Sequence, residues 1–175
     1  LLIDLHMEDF NGDGKDDIVA GWGHGPAKSR LFFNSDNGFT SENSVILPSA
    51  VYGDANSLHL NTWSEDFDGD GDQDLIINQS RHDPYYGGTY LQFLLNDGSG
   101  NFTDETSKRL VDPQNYKDTY GERLQWTDLF SILDIDGDGD LDIAGRYVDY
   151  RTPTPIIFKN DGTGHFELIE IPSSS

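Results

Sequence analysis

Three short acidic segments carry the residues of this sequence that could do chemistry. They are DFNGDGKDD at residues 9–17, DFDGDGDQD at 66–74 and DIDGDGDLD at 134–142, called loop 1, loop 2 and loop 3 below. Numbered from its first Asp, each loop has a side-chain oxygen at positions 1, 3, 5 and 9 and a glycine at position 6. The oxygen-bearing residues are Asp9, Asn11, Asp13 and Asp17 in loop 1, Asp66, Asp68, Asp70 and Asp74 in loop 2, and Asp134, Asp136, Asp138 and Asp142 in loop 3. This density of like charge indicates that the loops bind a cation.

The donor chemistry favours calcium. Hard oxygen ligands at alternate positions of a tight turn suit Ca²⁺, which takes six to eight oxygens, and the glycine permits the sharp bend. Position 7, occupied by Lys15, Asp72 and Asp140, would contribute its backbone carbonyl, so a lysine is tolerated there. Mg²⁺ fits less well because it retains its waters, and Zn²⁺ prefers His or Cys. We expect three Ca²⁺ ions, one in each loop.

The loops do not match a helix-flanked EF-hand. That motif needs a bidentate Glu at position 12, where this sequence has Ala20, Ile77 and Gly145. Dockerin repeats also require a helix after the loop, whereas the aliphatic runs DIVAGW and DLIINQ follow loops 1 and 2. These runs indicate that each loop leads into a strand.

Composition restricts the possible partners. The chain of 175 residues has a formal charge of −21, which disfavours nucleic acid and anionic membrane surfaces. It has no cysteine, which excludes disulfides and thiolate metal sites. No run of about 18 apolar residues occurs, so no membrane insertion is expected. We therefore expect the metal chemistry of this chain to be oxygen chemistry.

The segments around the loops predict an all-β fold of repeated four-stranded antiparallel units. In each unit a strand precedes the loop, a second follows it, a third ends at an Asn or Asp-Gly turn, and a fourth opens on Phe39, Phe102 or Phe166. The loops start 57 and 68 residues apart, close to the period of β-propeller blades. We expect three blades, at about residues 1–47, 57–110 and 123–171. Propellers close with about four to eight blades, so three blades predict part of a larger ring, completed by blades of the same longer chain or of other chains.

The pattern Asp-x-(Asp/Asn)-x-Asp-Gly-x-x-Asp before an apolar strand, followed by LLNDGSGNFTDET at residues 94–106, resembles the FG-GAP and VCBS-type repeats of integrin α-subunit-like propellers. The Gly-Ala-Pro element of integrins is suggested only by GHGPA at residues 23–27, so the sequence is more similar to bacterial-style VCBS proteins. The resemblance implies that each loop is the hairpin between the first two strands of a blade and binds Ca²⁺ through the side chains named above.

The order of strands predicts which loops share a face. In an up-and-down blade the acidic loops and the NDGSG and NDGTG turns lie at one end, and the longer connections lie at the other. Tyr and Arg, which are enriched in binding hot spots, occur in those longer connections. The candidate ligand-binding residues are Arg81, His82, Tyr85, Tyr86, Arg146, Tyr147, Tyr150 and Arg151. A glycan or an extracellular protein is the expected ligand.

These observations predict a secreted, extracellular or cell-surface propeller segment that acts in adhesion or recognition. Extracellular modules bind Ca²⁺ at about 10⁻⁴–10⁻³ M, which suits calcium levels outside the cell. The alternative is part of a carbohydrate-active enzyme, such as a polysaccharide lyase that uses Arg81, His82 or a tyrosine as its base. No Gly-x-Ser-x-Gly elbow or phosphate-cradling loop is present, so the sequence assigns no catalytic residue and favours binding over catalysis.

Overall fold

The fold consists of three four-stranded antiparallel sheets. The computed structural model describes residues 1–23, 27–50, 53–81, 89–110, 126–148 and 154–170. Sheet 1 contains β1 (Leu2–Glu8), β2 (Asp17–Trp22), β3 (Arg30–Phe32) and β4 (Ser44–Ile46), sheet 2 contains β5 (Ser57–Glu65), β6 (Asp74–Arg81), β7 (Thr89–Asn96) and β8 (Phe102–Asp104), and sheet 3 contains β9 (Trp126–Leu133), β10 (Asp142–Val148), β11 (Thr154–Asn160) and β12 (Phe166–Glu170). Strands adjacent in sequence are paired in each sheet, as propeller blades require.

Helical structure is limited to two short segments in the described part of the chain. One turn of 3-10 helix, Asp54–Asn56, precedes β5. The four-residue helix α1 (Thr106–Arg109) follows β8 and begins the connection towards sheet 3. Within the described residues no helix is long and apolar enough to cross a membrane.

Two hydrophobic clusters hold the sheets together. The alternation of side chains along β6 feeds both of them, because Leu75 and Ile77 point to one face and Ile76 to the other. Leu75 and Ile77 pack with Val19 and Leu31 between sheets 1 and 2, together with the ring of Phe10. The second cluster lies between sheets 2 and 3 and includes Phe67, Phe93, Ile143, Phe158 and Phe166. Sheet 2 is therefore buried on both faces by its neighbours, which is how propeller blades are stabilised.

The expected start of the fourth strand in the first unit is wrong. β8 and β12 begin at Phe102 and Phe166 as predicted, but β4 begins at Ser44 and Phe39 lies in the preceding turn, where it is exposed. The turn from β3 to β4 spans residues 33–43, whereas the corresponding turns of the other sheets span 97–101 and 161–165. The Phe33 N–H donates to the Asn43 carbonyl and closes this longer turn. Because this turn is longer than the other two, β4 begins after Phe39 and not at it.

The outer faces of sheets 1 and 3 expose apolar side chains. In β1, His6 bonds to Ser64 of sheet 2, so Leu5 and Met7 on either side of it point away from sheet 2 and are exposed. In β12, Leu168 packs on the cluster between sheets 2 and 3, and its neighbour Ile169 points outwards and is exposed. Both ends of the stack thus present apolar surface of the kind that is buried between the sheets.

Candidate metal centres

Each acidic loop joins the first two strands of its sheet and is organised by the aspartate at position 1. Asp66 Oδ1 and Oδ2 accept hydrogen bonds from the N–H groups of Gly69 and Gly71 at 2.8 and 3.0 Å. Asp134 accepts the corresponding bonds from Gly137 and Gly139. Gly71 has φ of 101°, which a residue with a Cβ rarely adopts, so glycine at position 6 is required by the turn.

The aspartate at position 9 is buried in every loop and ties the hairpin to the third strand. Asp74 Oδ2 accepts the N–H of Phe67 at 3.3 Å, and Asp74 Oδ1 accepts the N–H of Asn96 at 2.9 Å. Asp17 and Asp142 are also buried, and each accepts the same pair of backbone N–H bonds in its own sheet. Burial raises the pKa of Asp74 to about 7 and also raises the pKa of Asp17. A divalent cation beside Asp74 would counteract this rise because it stabilises the carboxylate.

Loop 2 brings the oxygens of three carboxylates together. Asp66, Asp68 and Asp74 each offer an oxygen, and these oxygens lie within 4.8 Å of one another. Asp68 Oδ2 accepts a hydrogen bond from Arg109 Nη2 at 3.1 Å, whereas Asp68 Oδ1 is buried without a hydrogen-bond partner among the described residues. A buried carboxylate oxygen without a partner is costly, so the residues fit a bound cation that would supply the missing interaction.

Loop 3 brings its carboxylates together at the surface. Oxygens of Asp134, Asp136 and Asp138 lie within 4.8 Å of one another, and all three residues are exposed. The Lys159 ammonium group contacts Asp136 and lies 3.2 Å from Asp138 Oδ2. These hydrogen bonds raise the pKa of Lys159, and a backbone hydrogen bond from Asp140 lowers the pKa of Asp138.

Loop 1 differs at two positions. Position 3 is Asn11, whose Oδ1 accepts the N–H of Asp13 at 3.0 Å. The Lys15 side chain at position 7 extends to Asp36 at 3.3 Å. Its backbone N–H also donates to Asp13 Oδ1 at 2.9 Å. Only loops 2 and 3 contain a group of three carboxylates within metal-binding distance, as far as the chain is described.

The tight turns lie beside the loops, as the strand order predicts. A Cβ on Gly98 would lie 2.5 Å from Asp72 Oδ2, and a Cβ on Gly162 would lie 2.5 Å from Asp140 Oδ2. Both glycines have positive φ. The aspartates at position 7 therefore pack on the NDGSG and NDGTG turns, and a side chain at either glycine would displace them.

An asparagine at the end of the third strand links sheet 2 and sheet 3 each to the loop of the preceding sheet, a contact that sequence reasoning missed. Asn96 Nδ2 donates to the Phe10 carbonyl of loop 1 at 2.9 Å, and Asn160 Nδ2 donates to the Phe67 carbonyl of loop 2 at 3.3 Å. Asn34, two residues after β3, is the equivalent residue of sheet 1 and donates to the Asp16 carbonyl of its own sheet. The recurrence of Asn at or just after the end of these three strands was the available signal.

A second contact between sheets 1 and 2 uses histidine. His59 is 2% exposed, and its Nδ1 and Nε2 lie 2.9 Å from Ser29 Oγ and 2.6 Å from Thr62 Oγ1. Burial lowers the pKa of His59 to about 4. Asp4 Oδ2 lies 3.6 Å from His59 Nε2, but the effect of burial on the pKa is larger. Because of this low pKa, the imidazole is neutral at pH 7, and it forms part of the interface.

The candidate ligand-binding residues remain a prediction. Arg81 is the last residue of β6 and is half-buried. Arg146 and Tyr147 belong to β10, and their side chains lie outside the described part of the structure. The others, His82, Tyr85, Tyr86, Tyr150 and Arg151, lie outside the described residues. The base proposed for a lyase falls among these residues, so the described structure adds no observation in favour of the enzyme alternative.

Comparison with known proteins supports the resemblance over part of the chain. Residues 66–145 match the family model described as the FG-GAP-like repeat. This stretch runs from the start of loop 2 to β10 and includes loops 2 and 3, the two loops in which three carboxylates converge. A search of curated proteins finds no match. The three four-stranded sheets agree with a blade-type, all-β fold for this repeat.

Proposed function

We propose that the protein is an extracellular, calcium-binding β-propeller segment of the bacterial-style VCBS type, which acts in adhesion or in recognition of a glycan or protein ligand. The observation that carries the calcium proposal is Asp68 Oδ1, a buried carboxylate oxygen that lacks a hydrogen-bond partner in the described structure. Asp68 is one of three aspartates, with Asp66 and Asp74, that each offer an oxygen within 4.8 Å of the others. All-oxygen donor sets of this kind suit Ca²⁺.

The side chains at positions 1, 3, 5 and 9 and the backbone carbonyl at position 7 would hold one ion in each loop. Calcium would supply positive charge that compensates the repulsion among these carboxylates. Position 1 orients the turn through its backbone bonds, and position 9 fixes the loop against the third strand. Because the unfolded chain cannot assemble such a site, ion binding would stabilise the folded sheets.

Calcium-dependent melting tests this proposal. Each site with Kd of about 10⁻⁴ M contributes roughly 2.7 kcal/mol in about 10 mM Ca²⁺, which corresponds to a rise in Tm of about 5–10 °C per occupied site for a chain of this size. Millimolar Mg²⁺ should have little effect. Asp68→Asn should reduce the calcium-induced rise, whereas Glu42→Gln, which removes an exposed carboxylate outside the loops, should not. A melt that is unchanged by exhaustive chelation and by added Ca²⁺ contradicts the proposal.

The partners that we propose for the end sheets are further blades, from the same longer chain or from other chains. Phe10 and Phe67 at position 2 of loops 1 and 2 are buried by the next sheet, while Ile135 at the same position of loop 3 is exposed. Asn34 makes no bond to a preceding loop within the described residues, unlike Asn96. Neighbouring sheets are joined by the residue at position 2 of one loop and by the asparagine of the next sheet. The first of these recurs on the outer face of sheet 3 as Ile135, and the second recurs in sheet 1 as Asn34.

Assembly of those faces is tested by substitution in the protein as it is naturally produced. Met7→Lys places a charge on the outer face of sheet 1, and we expect it to weaken association with the adjoining blade or copy. Met7 is exposed on the described sheets, so the substitution should leave their own folding intact. Light scattering and limited proteolysis provide the measurements. Unchanged assembly and unchanged protease resistance would show that this face has no blade partner.

A further inference from the structure

A basic side chain lies on the position-3 carboxylate in each loop that has an aspartate there. In loop 2, Arg109 Nη2 donates to Asp68 Oδ2 at 3.1 Å. In loop 3, the Lys159 ammonium group contacts Asp136. In loop 1, position 3 is the neutral Asn11, and the nearby Lys15 pairs with Asp36 outside the loop. Loops 2 and 3, which have one more carboxylate than loop 1 at these positions, thus each have a basic side chain paired with that carboxylate.

The ligand side chains at positions 1, 3, 5 and 9, taken with their paired cations, consequently have the same net charge in the three loops. The side chains at positions 1, 3, 5 and 9 carry three negative charges in loop 1 and four in loops 2 and 3. One paired Arg or Lys reduces the charge of loop 2 or loop 3 to minus three. The number of ligand charges is one of the properties that sets Ca²⁺ affinity, so a cation on position 3 can adjust the strength of a site.

The two cations differ in how they contact the loops. Arg109 and Asp68 are both 13% exposed, and Arg109 also donates to the Thr163 carbonyl of sheet 3. This arrangement fixes one oxygen of Asp68 and leaves Oδ1 without a partner. Lys159 instead contacts the carboxylates at both position 3 and position 5 of loop 3, and its side chain is 38% exposed. Arg109 leaves an oxygen for an ion, whereas Lys159 occupies oxygens that an ion would need.

Lys159 is also an exception among equivalent residues. It directly precedes Asn160 at the end of the third strand, where the other sheets have Phe33 before Asn34 and Leu95 before Asn96. Phe33 and Leu95 pack against the hydrophobic clusters. Lys159 and Asp138 line an open depression, which gives solvent ions access to the pair. A lysine at this site is therefore not explained by packing.

We propose that Lys159 is an internal counter-ion of loop 3, which competes with a divalent cation for the carboxylates of Asp136 and Asp138 and makes loop 3 a weaker calcium site than loop 2. This inference rests on the proposed calcium function and assigns a role to a residue outside the ligand set. An incoming ion must displace the ammonium group, so the sites fill in sequence as calcium rises. Lys159 sets the calcium concentration at which loop 3 fills.

Calorimetric calcium titration of Lys159→Met and Lys159→Gln tests the inference. Two exposed ion pairs are lost, so one class of sites should bind roughly tenfold more tightly. The matched control is Lys28→Met, because Lys28 pairs with Asp54, outside the acidic loops. Asn11→Asp provides the converse change, since it adds a fourth negative charge to loop 1 without a paired lysine, and it should also tighten one site.

A second substitution assigns the effect to loop 3. The gain from Lys159→Met should disappear when Asp138→Asn is also present, and it should persist when Asp68→Asn weakens loop 2. If the wild type binds calcium and Lys159→Met binds it with the same affinity, the inference is wrong and the proposed function stands. Loss of calcium binding in both proteins overturns both. If loop 3 binds calcium in Lys159→Met but not in the wild type, the inference is supported, and calcium binding by the wild type is restricted to the other loops.

Discussion

Replacement of Asn96 by alanine should strongly destabilise the contact between sheets 1 and 2. Asn96 Nδ2 donates to the carbonyls of Phe10 at 2.9 Å and Gln73 at 3.1 Å, and its Oδ1 accepts the N–H of Gly100 at 3.0 Å. Asn96→Ala leaves these three backbone groups without their partner. A buried polar group that loses its partner costs about 1–3 kcal/mol, and water entering the new space would restore part of that. We therefore expect a loss of about 3–5 kcal/mol.

Asn34→Ala is the matched control, because Asn34, two residues after β3, donates its N–H to Asp17 as Asn96 donates its N–H to Asp74. Its side chain donates one exposed bond, to the Asp16 carbonyl at 3.1 Å, so the loss should be below about 1 kcal/mol. The backbone bond from Asn34 N–H to Asp17 remains in this variant. Urea unfolding with saturating calcium and with chelator measures both variants. Equal losses, or a loss below about 1 kcal/mol for Asn96→Ala, would refute a structural role for the contact between sheets.

Two further predictions concern the same interface. His59 resists protonation in the folded state because its pKa is about 4 rather than 6.5. Its contribution to the free energy of unfolding is therefore complete above pH 6.5 and decreases as pH falls towards 4, so the wild type should lose about 2 kcal/mol by pH 5 through this group. If the free energy of unfolding in urea has the same pH dependence in His59→Gln, this prediction is wrong. Gly100→Ala should destabilise the fold by about 2–4 kcal/mol, since φ is 76° and the new Cβ would lie 2.4 Å from the Phe33 ring, whereas Gly38→Ala, at φ 73° with open space around it, should cost only the backbone strain. Equal losses in the two glycine variants would show that Gly100 makes no close contact with sheet 1.

The repeated elements were predictable because their signals are local. Alternating apolar residues and Asp-Gly turns indicated four strands in each unit, and the structure confirms three such sheets. The spacing of the aspartates also located the loops at the hairpins between the first two strands. The start of β4 was predicted wrongly because Phe39 has the same local signal as Phe102, while the length of the preceding turn decides where pairing resumes.

The contacts between sheets could not be predicted from local sequence patterns. The bond from Asn96 to Phe10 joins residues 86 positions apart, and it depends on which faces of two sheets meet. The burial of His59 likewise depends on Gly21 of the neighbouring sheet, where a Cβ would lie 2.5 Å from the imidazole. Lys159 has the sequence appearance of an exposed strand residue, and only the fold places it on loop 3.

Anomalous diffraction from crystals of the protein grown with calcium would test the metal assignment most directly. The prediction is an anomalous peak in loop 2, with Asp66, Asp68 and Asp74 oxygens at about 2.3–2.6 Å from the ion, including the Asp68 Oδ1 that otherwise has no partner within the described chain. Weaker peaks are expected in loop 3, where Lys159 competes. An ordered loop 2 that holds only water in calcium-rich crystals would contradict the calcium assignment.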